Sequence, residues 1–103
     1  MVHIELDGRV AFTRHHPAAR SVDVVGAFHG WDERRHSMTS DGDGRWTLEL
    51  DLPAGEHLFR YLIDGTSWMI DRRAHGERIA ADGSIRSRVW RPPLRLTPDA
   101  LAA

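Results

Sequence analysis

The sequence HLFRYLIDGTSWMI, residues 57–70, has the pattern of a β-hairpin. Its first half alternates between two faces, one carrying Phe59, Tyr61 and Ile63 and the other carrying Leu58, Arg60 and Leu62. A period of two predicts a strand, and the bulkier aromatic face is expected to point inward. Asp64-Gly65 is a favoured turn dipeptide, so residues 67–70 are the expected return strand. Arg60 then projects outward from the middle of its strand.

Turn dipeptides divide the rest of the chain at similar short intervals. Asp-Gly pairs and one Pro-Ala-Gly tripeptide separate further alternating segments at residues 9–13, 22–26, 46–51 and 85–90. No stretch of ten residues carries a helical stripe. Six or seven short strands spaced by turns predict an all-β, immunoglobulin-like antiparallel β-sandwich.

Length and composition favour one globular domain. The chain has 103 residues, of which 41% are hydrophobic and 28% charged, and these values exclude a membrane protein and a disordered chain. We expect one domain over residues 1–103, with a core at about 9–90 and a C-terminal tail at 91–103. Without cysteine, disulfide frameworks and thiolate zinc sites are excluded. The charged start of the chain lacks a signal-peptide core, so we expect a cytoplasmic protein.

Charge and motifs weaken several function classes. The net charge of −1 gives no overall field toward nucleic acid or an anionic membrane, although four Arg near Trp90 form a small basic patch. No nucleophile elbow, phosphate loop, dinucleotide fingerprint or paired metal-ligand spacing is present, and the seven His are expected in solvated loops. We therefore expect no catalysis, metal or cofactor.

The tryptophans have different predicted roles. Trp46 is in phase with two leucines on one strand face and is expected in the core, whereas Trp31 falls in a predicted surface loop that includes the charged residues 32–35. Trp68 follows a turn and is expected near the rim. Two exposed indoles on either side of Arg60 suit a sugar ring, because C–H faces stack on indole and hydroxyls accept N–H donors.

A structural interpretation of the same residues stays open. Trp31 and Trp68 could close the ends of the core, with Arg60 paired to Glu49 or Asp51.

Three segments in order, residues 24–32, 46–57 and 59–65, followed by Trp68, resemble the family-48 carbohydrate-binding modules. That family includes the glycogen-binding domain of the AMP-activated protein kinase β subunit and the N-terminal early-set domains of isoamylases and branching enzymes. The resemblance covers about residues 9–90. It implies an early-set immunoglobulin-like sandwich that binds α-1,4-glucans such as glycogen, starch or maltooligosaccharides without catalysis. It also implies that Trp31 and Trp68 stack on sugar, with Arg60 as the basic residue between them.

The last strand departs from the family pattern. Ser84 stands where glycogen-binding members have Thr, and Arg86 stands where they have Asn. Ser84 and Arg86 are expected to border the sugar, and Arg86 either donates to hydroxyls or obstructs a ring. We expect obstruction, so that Arg86→Asn tightens glucan binding. A third alternative is that Arg86 and Arg88 together bind the phosphate of a phosphorylated glucan.

The expected partners are an α-glucan and a separate glucan-metabolising or regulatory protein. The alternative function is a protein–protein interaction module of the same fold with no sugar ligand.

Overall fold

The structure is a computed structural model that describes residues 1–28 and 33–93. The described residues form ten β-strands. They are β1 (Val2–Ile4), β2 (Val10–His15), β3 (Val22–Gly26), β4 (Arg34–Ser37), β5 (Thr39–Ser40), β6 (Arg45–Leu50), β7 (Gly55–Ile63), β8 (Ser67–Met69), β9 (Glu77–Ile79) and β10 (Ile85–Arg91). The predicted hairpin is confirmed as β7 paired with β8.

The strands form two antiparallel sheets that sandwich one core. The smaller sheet has the order β1-β2-β6-β5, and the larger has the order β4-β3-β7-β10-β9, with β8 also paired to β7. The predicted all-β sandwich is confirmed. No helix among residues 1–28 and 33–93 has the length and apolar character of a membrane span.

Inward-facing aromatic side chains join the sheets. Phe12 of the smaller sheet meets Phe59 of the larger edge to face, with ring centroids 5.0 Å apart. Tyr61 is fully buried, and its hydroxyl donates a 2.7 Å hydrogen bond to Asp71. Trp46 is 8% exposed, and its indole N–H donates to the His16 carbonyl at 3.1 Å. The inward face of the hairpin and the core position of Trp46 are thus as predicted.

Residues 34–35 correct a prediction. The sequence indicated a surface loop there, but Arg34 begins β4, which pairs with β3 through Val25 and Arg35. This strand lies at the edge of its sheet and its charged side chains face solvent, so it shows no hydrophobic alternation. Strands β1, β5 and β9 went unpredicted for a related reason, since each has only two or three residues at or beside a sheet edge.

The ends of the described chain also belong to the sandwich. Val2 lies in the core, ahead of the expected core boundary at residue 9. Arg91, the first residue of the expected tail, ends β10 and is buried, with its Nε donating to the Gly8 carbonyl at 3.1 Å. The rest of that tail, residues 94–103, lies outside the described residues.

The outer face of the larger sheet gathers the predicted polar and aromatic residues. Strand β7 is central, and Leu62 pairs with Trp68 on β8 while Phe59 pairs with Ser87 on β10. Arg60 shares its face with Leu62, and one further step of the β10 register places Arg86 beside Arg60. Strand pairing therefore brings Arg60, Trp68 and Arg86 to one surface.

The turn that presents Trp68 is held firmly. Asp64 adopts a left-handed φ of 52°, and its carboxylate accepts backbone N–H groups from Ser21 at 3.0 Å and Arg20 at 2.6 Å. These hydrogen bonds, that of Ser21 first, lower the pKa of Asp64 below its usual value. The ionised carboxylate ties the hairpin turn to the neighbouring loop.

Candidate functional site

Arg60 and Trp68 form a stacked pair on the outer face of the larger sheet. The guanidinium carbon of Arg60 lies 3.8 Å from the centre of the Trp68 ring. The contact follows from the register, because Trp68 lies opposite Leu62 and Arg60 is two residues before Leu62 on the same face. A guanidinium over an indole face is a favourable cation–π arrangement. Trp68 is still 45% exposed, so the pair offers both apolar ring surface and N–H donors to solvent.

Arg60 has no acidic partner among the described residues. Neither Glu49 nor Asp51 pairs with it, since Glu49 is on β6 and Asp51 follows β6, in the other sheet. The Arg60 Nε is buried and has no hydrogen-bond partner within the described part of the chain. Arg60 therefore does not form the ion pair with Glu49 or Asp51 that the structural interpretation expected. A buried N–H donor without a partner is costly, and the same holds for the Arg14 Nε and the His16 Nδ1, which lie outside this pair.

Arg86 is surrounded by its own partners. It is 6% exposed, and it forms an ion pair with Glu33 through Nη1. Its Nη2 donates to Asp82 at 3.1 Å, and its Nε donates to the Ser84 hydroxyl at 2.9 Å. The Ser84 hydroxyl in turn donates to Asp82 at 2.6 Å. We call these four residues the Arg86 cluster.

The Arg86 cluster bears on the expected obstruction. Hydrogen bonds from Ser84, and more weakly the charge of Arg86, lower the pKa of Asp82 from 3.8 to about 2. Asp82 is thus a stable counter-ion, and every nitrogen of the Arg86 guanidinium has a protein partner. The Arg86 guanidinium is buried within this cluster, and its expected obstruction of a sugar ring stays a prediction that glucan binding by Arg86→Asn would test.

Two further arginines of this face are neutralised by one glutamate. Glu56 accepts from Arg88 at 2.5 Å and from Arg78 at 3.3 Å, and these two hydrogen bonds lower its pKa, that of Arg88 first. Of Arg60, Arg78, Arg86 and Arg88, Arg60 is the one without a carboxylate partner within the described residues. The face is therefore less cationic than its sequence indicates.

A shallow groove of about 300 Å³ runs beside the Arg86 cluster. It is lined by Ala27, Glu33, Glu56, His57, Leu58, Ala80 and Arg86. Sequence reasoning missed Glu33 and Asp82 as parts of this region. The spacing of four residues between Asp82 and Arg86 could have indicated their contact, but the Asp82-Gly83 dipeptide indicates a turn, and a turn alone accounts for the aspartate. Glu33 had none, since it meets Arg86 across 53 residues of chain.

Trp31 lies outside the described residues, but the chain on each side of residues 29–32 is fixed. Before them, Phe28 is buried and packs against Phe12, with ring centroids 6.0 Å apart. Gly26 permits this packing, because a Cβ there would lie 2.7 Å from the Phe28 ring and 2.8 Å from the Leu58 carbonyl oxygen. After them, Glu33 is held by Arg86. No three His, Asp or Glu side chains within residues 1–28 and 33–93 are grouped so that they could hold a metal ion.

Comparison with known proteins supplies a family. The model of carbohydrate-binding module 48 (isoamylase N-terminal domain) matches residues 2–85. The 1,4-alpha-glucan branching enzyme GlgB of Rhodopseudomonas palustris (strain BisA53) is 37% identical over 82 residues, which are 75% of this chain and 11% of that enzyme.

Other branching enzymes match in the same way. GlgB of Nitrobacter winogradskyi is 38% identical over 87 residues, covering 84% of this chain and 9% of that enzyme. GlgB of Rhodopseudomonas palustris (strain BisB5) is 49% identical over 73 residues, covering 68% of this chain and 9% of that enzyme. The chain thus spans about a tenth of the length of the curated relatives it matches.

Proposed function

The chain belongs to the carbohydrate-binding module 48 family, and on that premise we propose that it is a single non-catalytic domain that binds α-1,4-glucan. The observation that carries the proposal is the Arg60–Trp68 stack, in which an exposed indole stands beside an arginine with no acidic partner among the described residues. The exposed indole face can stack on a sugar ring, and the Arg60 N–H groups that no carboxylate occupies can donate to sugar hydroxyls.

In the proposed complex a glucose ring stacks on Trp68 and its hydroxyls accept N–H donors from Arg60. Trp31, which the family resemblance predicts to stack on sugar, provides the second stacking surface. Covering about 100 Å² of each indole contributes roughly 2.5 kcal/mol before the costs of association. The resulting affinity is modest, with Kd on the order of 10 μM to 1 mM.

Ser84 and Arg86 border this site in the proposal. The Ser84 hydroxyl already donates to Asp82, so toward a sugar it acts through its oxygen as an acceptor. Arg86 supports the site from beneath, since its nitrogens are used within the protein.

We propose binding rather than catalysis because the relatives named for glucan branching match this chain over only about a tenth of their length. The chain would serve such chemistry by holding a glucan. A separate glucan-metabolising or regulatory protein is the partner that this role suggests.

One observation favours a protein-interaction module instead. Leu6 is fully exposed and Trp90 is 44% exposed, and both line an apolar depression with Pro92 and Pro93 at one end of the sandwich. Exposed apolar clusters of this kind are typical of protein contacts. This surface is separate from the Arg60–Trp68 stack, so the two functions can be tested separately.

Sedimentation with insoluble starch tests the proposal, with cellulose as the control polysaccharide. We expect retention on starch and none on cellulose, because the glucose rings of cellulose are β-linked and present a flat ribbon. Retention on neither would contradict glucan binding and favour the interaction module.

A further inference from the structure

The end of β2 and the segment that follows β8 enclose a cationic cavity. Residues 13–15 line it from the smaller sheet, residues 70–73 line it from the side of the larger sheet, and Met1 completes the lining. Its volume is about 420 Å³, and none of the described residues that line it belongs to the Arg86 cluster or the Arg60–Trp68 stack. We call it the arginine cavity, because its wall includes Arg14, Arg72 and Arg73.

The three arginines of this cavity are not neutralised by carboxylates. Arg14, Arg72 and Arg73 form no ion pair with any Asp or Glu of residues 1–28 and 33–93. Arg72 and Arg73 are exposed, whereas Arg14 is half-buried. Cations around one cavity repel one another, and an anion between them removes that repulsion.

Asp71 also lines the arginine cavity, but its carboxylate is occupied within the protein. The residue is 3% exposed, and one of its oxygens accepts from the Tyr61 hydroxyl at 2.7 Å and forms an ion pair with the Met1 amino group. The other oxygen accepts the backbone N–H of Arg73 at 2.9 Å, which fixes the turn that carries Arg72 and Arg73. The excess positive charge of the cavity therefore remains.

Two contacts hold the Arg14 guanidinium in place. Its Nη1 donates to the Ile70 carbonyl at 3.3 Å, and its Nη2 donates to the Met69 sulfur at 3.1 Å. Each of these nitrogens carries a second N–H, so the fork keeps donors for a ligand. A donor that is fixed before binding loses little conformational entropy when the ligand arrives.

Phosphate is the ligand chemistry that fits these observations. Arginine forks bind phosphate oxygens through paired N–H donors, and a phosphate monoester carries close to two negative charges at neutral pH. A cavity of about 420 Å³ is in the size range of small-molecule sites and has room for a phosphate group together with a short organic chain. We propose that the arginine cavity binds a phosphate group, either free or on a small phosphate monoester.

The arginine cavity is independent of the proposed glucan site. Trp68 and Met69 are consecutive on β8, so their side chains point to opposite faces, and Met69 pairs with the buried Tyr61. Arg14 contacts Met69, whereas Arg60 stacks on Trp68. The cavity and the stack thus lie on opposite sides of β8, and the proposal stands whether or not the chain binds glucan.

Calorimetry at low salt tests the cavity with glycerol 3-phosphate and inorganic phosphate, with glycerol as the neutral control. We expect Kd on the order of 0.1 to 1 mM for the phosphates and no heat of binding with glycerol. Tighter binding of glycerol 3-phosphate would identify a monoester as the ligand, and equal binding would identify free phosphate; both results support the site. Binding of neither phosphate would overturn the proposal.

Charge-matched variants locate the binding. Arg72→Gln/Arg73→Gln removes two exposed arginines of the cavity and should weaken the binding of both phosphates about tenfold or more. Arg34→Gln/Arg35→Gln removes two adjacent exposed arginines from the edge strand β4 and should bind within about twofold of wild type. Equal weakening in the two double variants would show a general charge effect and overturn the proposal.

Amide NMR shifts give the position of the ligand directly. Glycerol 3-phosphate should move the signals of residues 13–15 and 70–73 and leave those of Arg60 and Arg88 in place. Shifts centred on Arg60 or Arg88 instead would overturn the proposal. Arg72→Gln/Arg73→Gln should bind maltoheptaose like wild type, and if wild type binds no maltoheptaose, the proposed function fails while the phosphate result stands.

Discussion

The guanidinium of Arg60 stacks on the indole of Trp68, with its central carbon 3.8 Å from the ring centre. The two residues occupy paired strands on either side of a turn fixed by Asp64. A donor fork and an apolar ring are thus arranged side by side before any ligand arrives. Such preorganisation lowers the entropic cost of binding a flexible oligosaccharide.

Trp68→Ala should abolish measurable maltoheptaose binding while the fold persists. The side chain is half exposed on a short strand, so its loss removes stacking surface without opening the core. Trp31→Ala should do the same. Trp90→Ala is the matched control, since Trp90 is 44% exposed against 45% for Trp68 but belongs to the end of the sandwich. Calorimetry checks all three, and undiminished binding in both Trp31→Ala and Trp68→Ala would exclude this site.

Arg60→Gln should weaken maltoheptaose binding by about fivefold to thirtyfold, as expected for lost hydrogen bonds from a charged donor. Arg60→Lys should lie between Gln and wild type, because an ammonium retains the charge but not the planar fork.

The salt dependence of wild-type binding tests the nature of the ligand. For a neutral glucan the affinity should be nearly constant between about 50 and 500 mM NaCl. A steep fall in affinity with salt, together with tighter binding of phosphorylated glucan, would show that Arg60 binds the phosphate group of the ligand.

Periodicity predicted the parts of the fold in which burial alternates strictly. The β7–β8 hairpin, the inward Tyr61 and the core Trp46 all follow from a two-residue period joined to a turn dipeptide. Strand β4 was mistaken for loop because an edge strand with charged side chains has no such period. The outward face of β7 was likewise only partly predicted, since Leu62 is buried there beneath its neighbours.

The candidate site was less accessible from sequence than the fold. The outward direction of Arg60 follows from the alternation of its strand. Whether Arg60 can pair with Glu49 or Asp51 depends instead on which sheet each strand joins. The Arg86–Glu33 pair spans 53 residues, and no local pattern encodes a contact at that separation. The resemblance to the family-48 carbohydrate-binding modules rests on motifs that occur in the order of that family. The family match over residues 2–85 confirms this resemblance.

Trp46→Ala should destabilise the domain by about 3–5 kcal/mol, through lost burial and the cavity left behind. It also removes the hydrogen bond to the His16 carbonyl. Thermal unfolding should show a midpoint lower by more than ~10 °C, whereas the exposed control Trp90→Ala should stay close to wild type. A Trp46→Ala midpoint within a few degrees of wild type would contradict the core position.

Acid should weaken the Arg86 cluster through Asp82. Folding lowers the pKa of Asp82 from 3.8 to about 2, so its stabilising contribution is present above pH 3.8 and is lost as the pH falls through about 2. Wild type should therefore melt higher than Asp82→Asn at about pH 6, and the gap should close as the pH is lowered toward 2. A gap that is constant across this range would show that the charge of Asp82 contributes nothing.

Glucan binding itself is tested most directly by titrating wild-type protein with maltoheptaose in a calorimeter, with cellohexaose as the control. The account predicts saturable binding of maltoheptaose with Kd on the order of 10 μM to 1 mM and no heat of binding with cellohexaose. An absence of binding to maltoheptaose at millimolar concentration, or equal binding of both sugars, would contradict it.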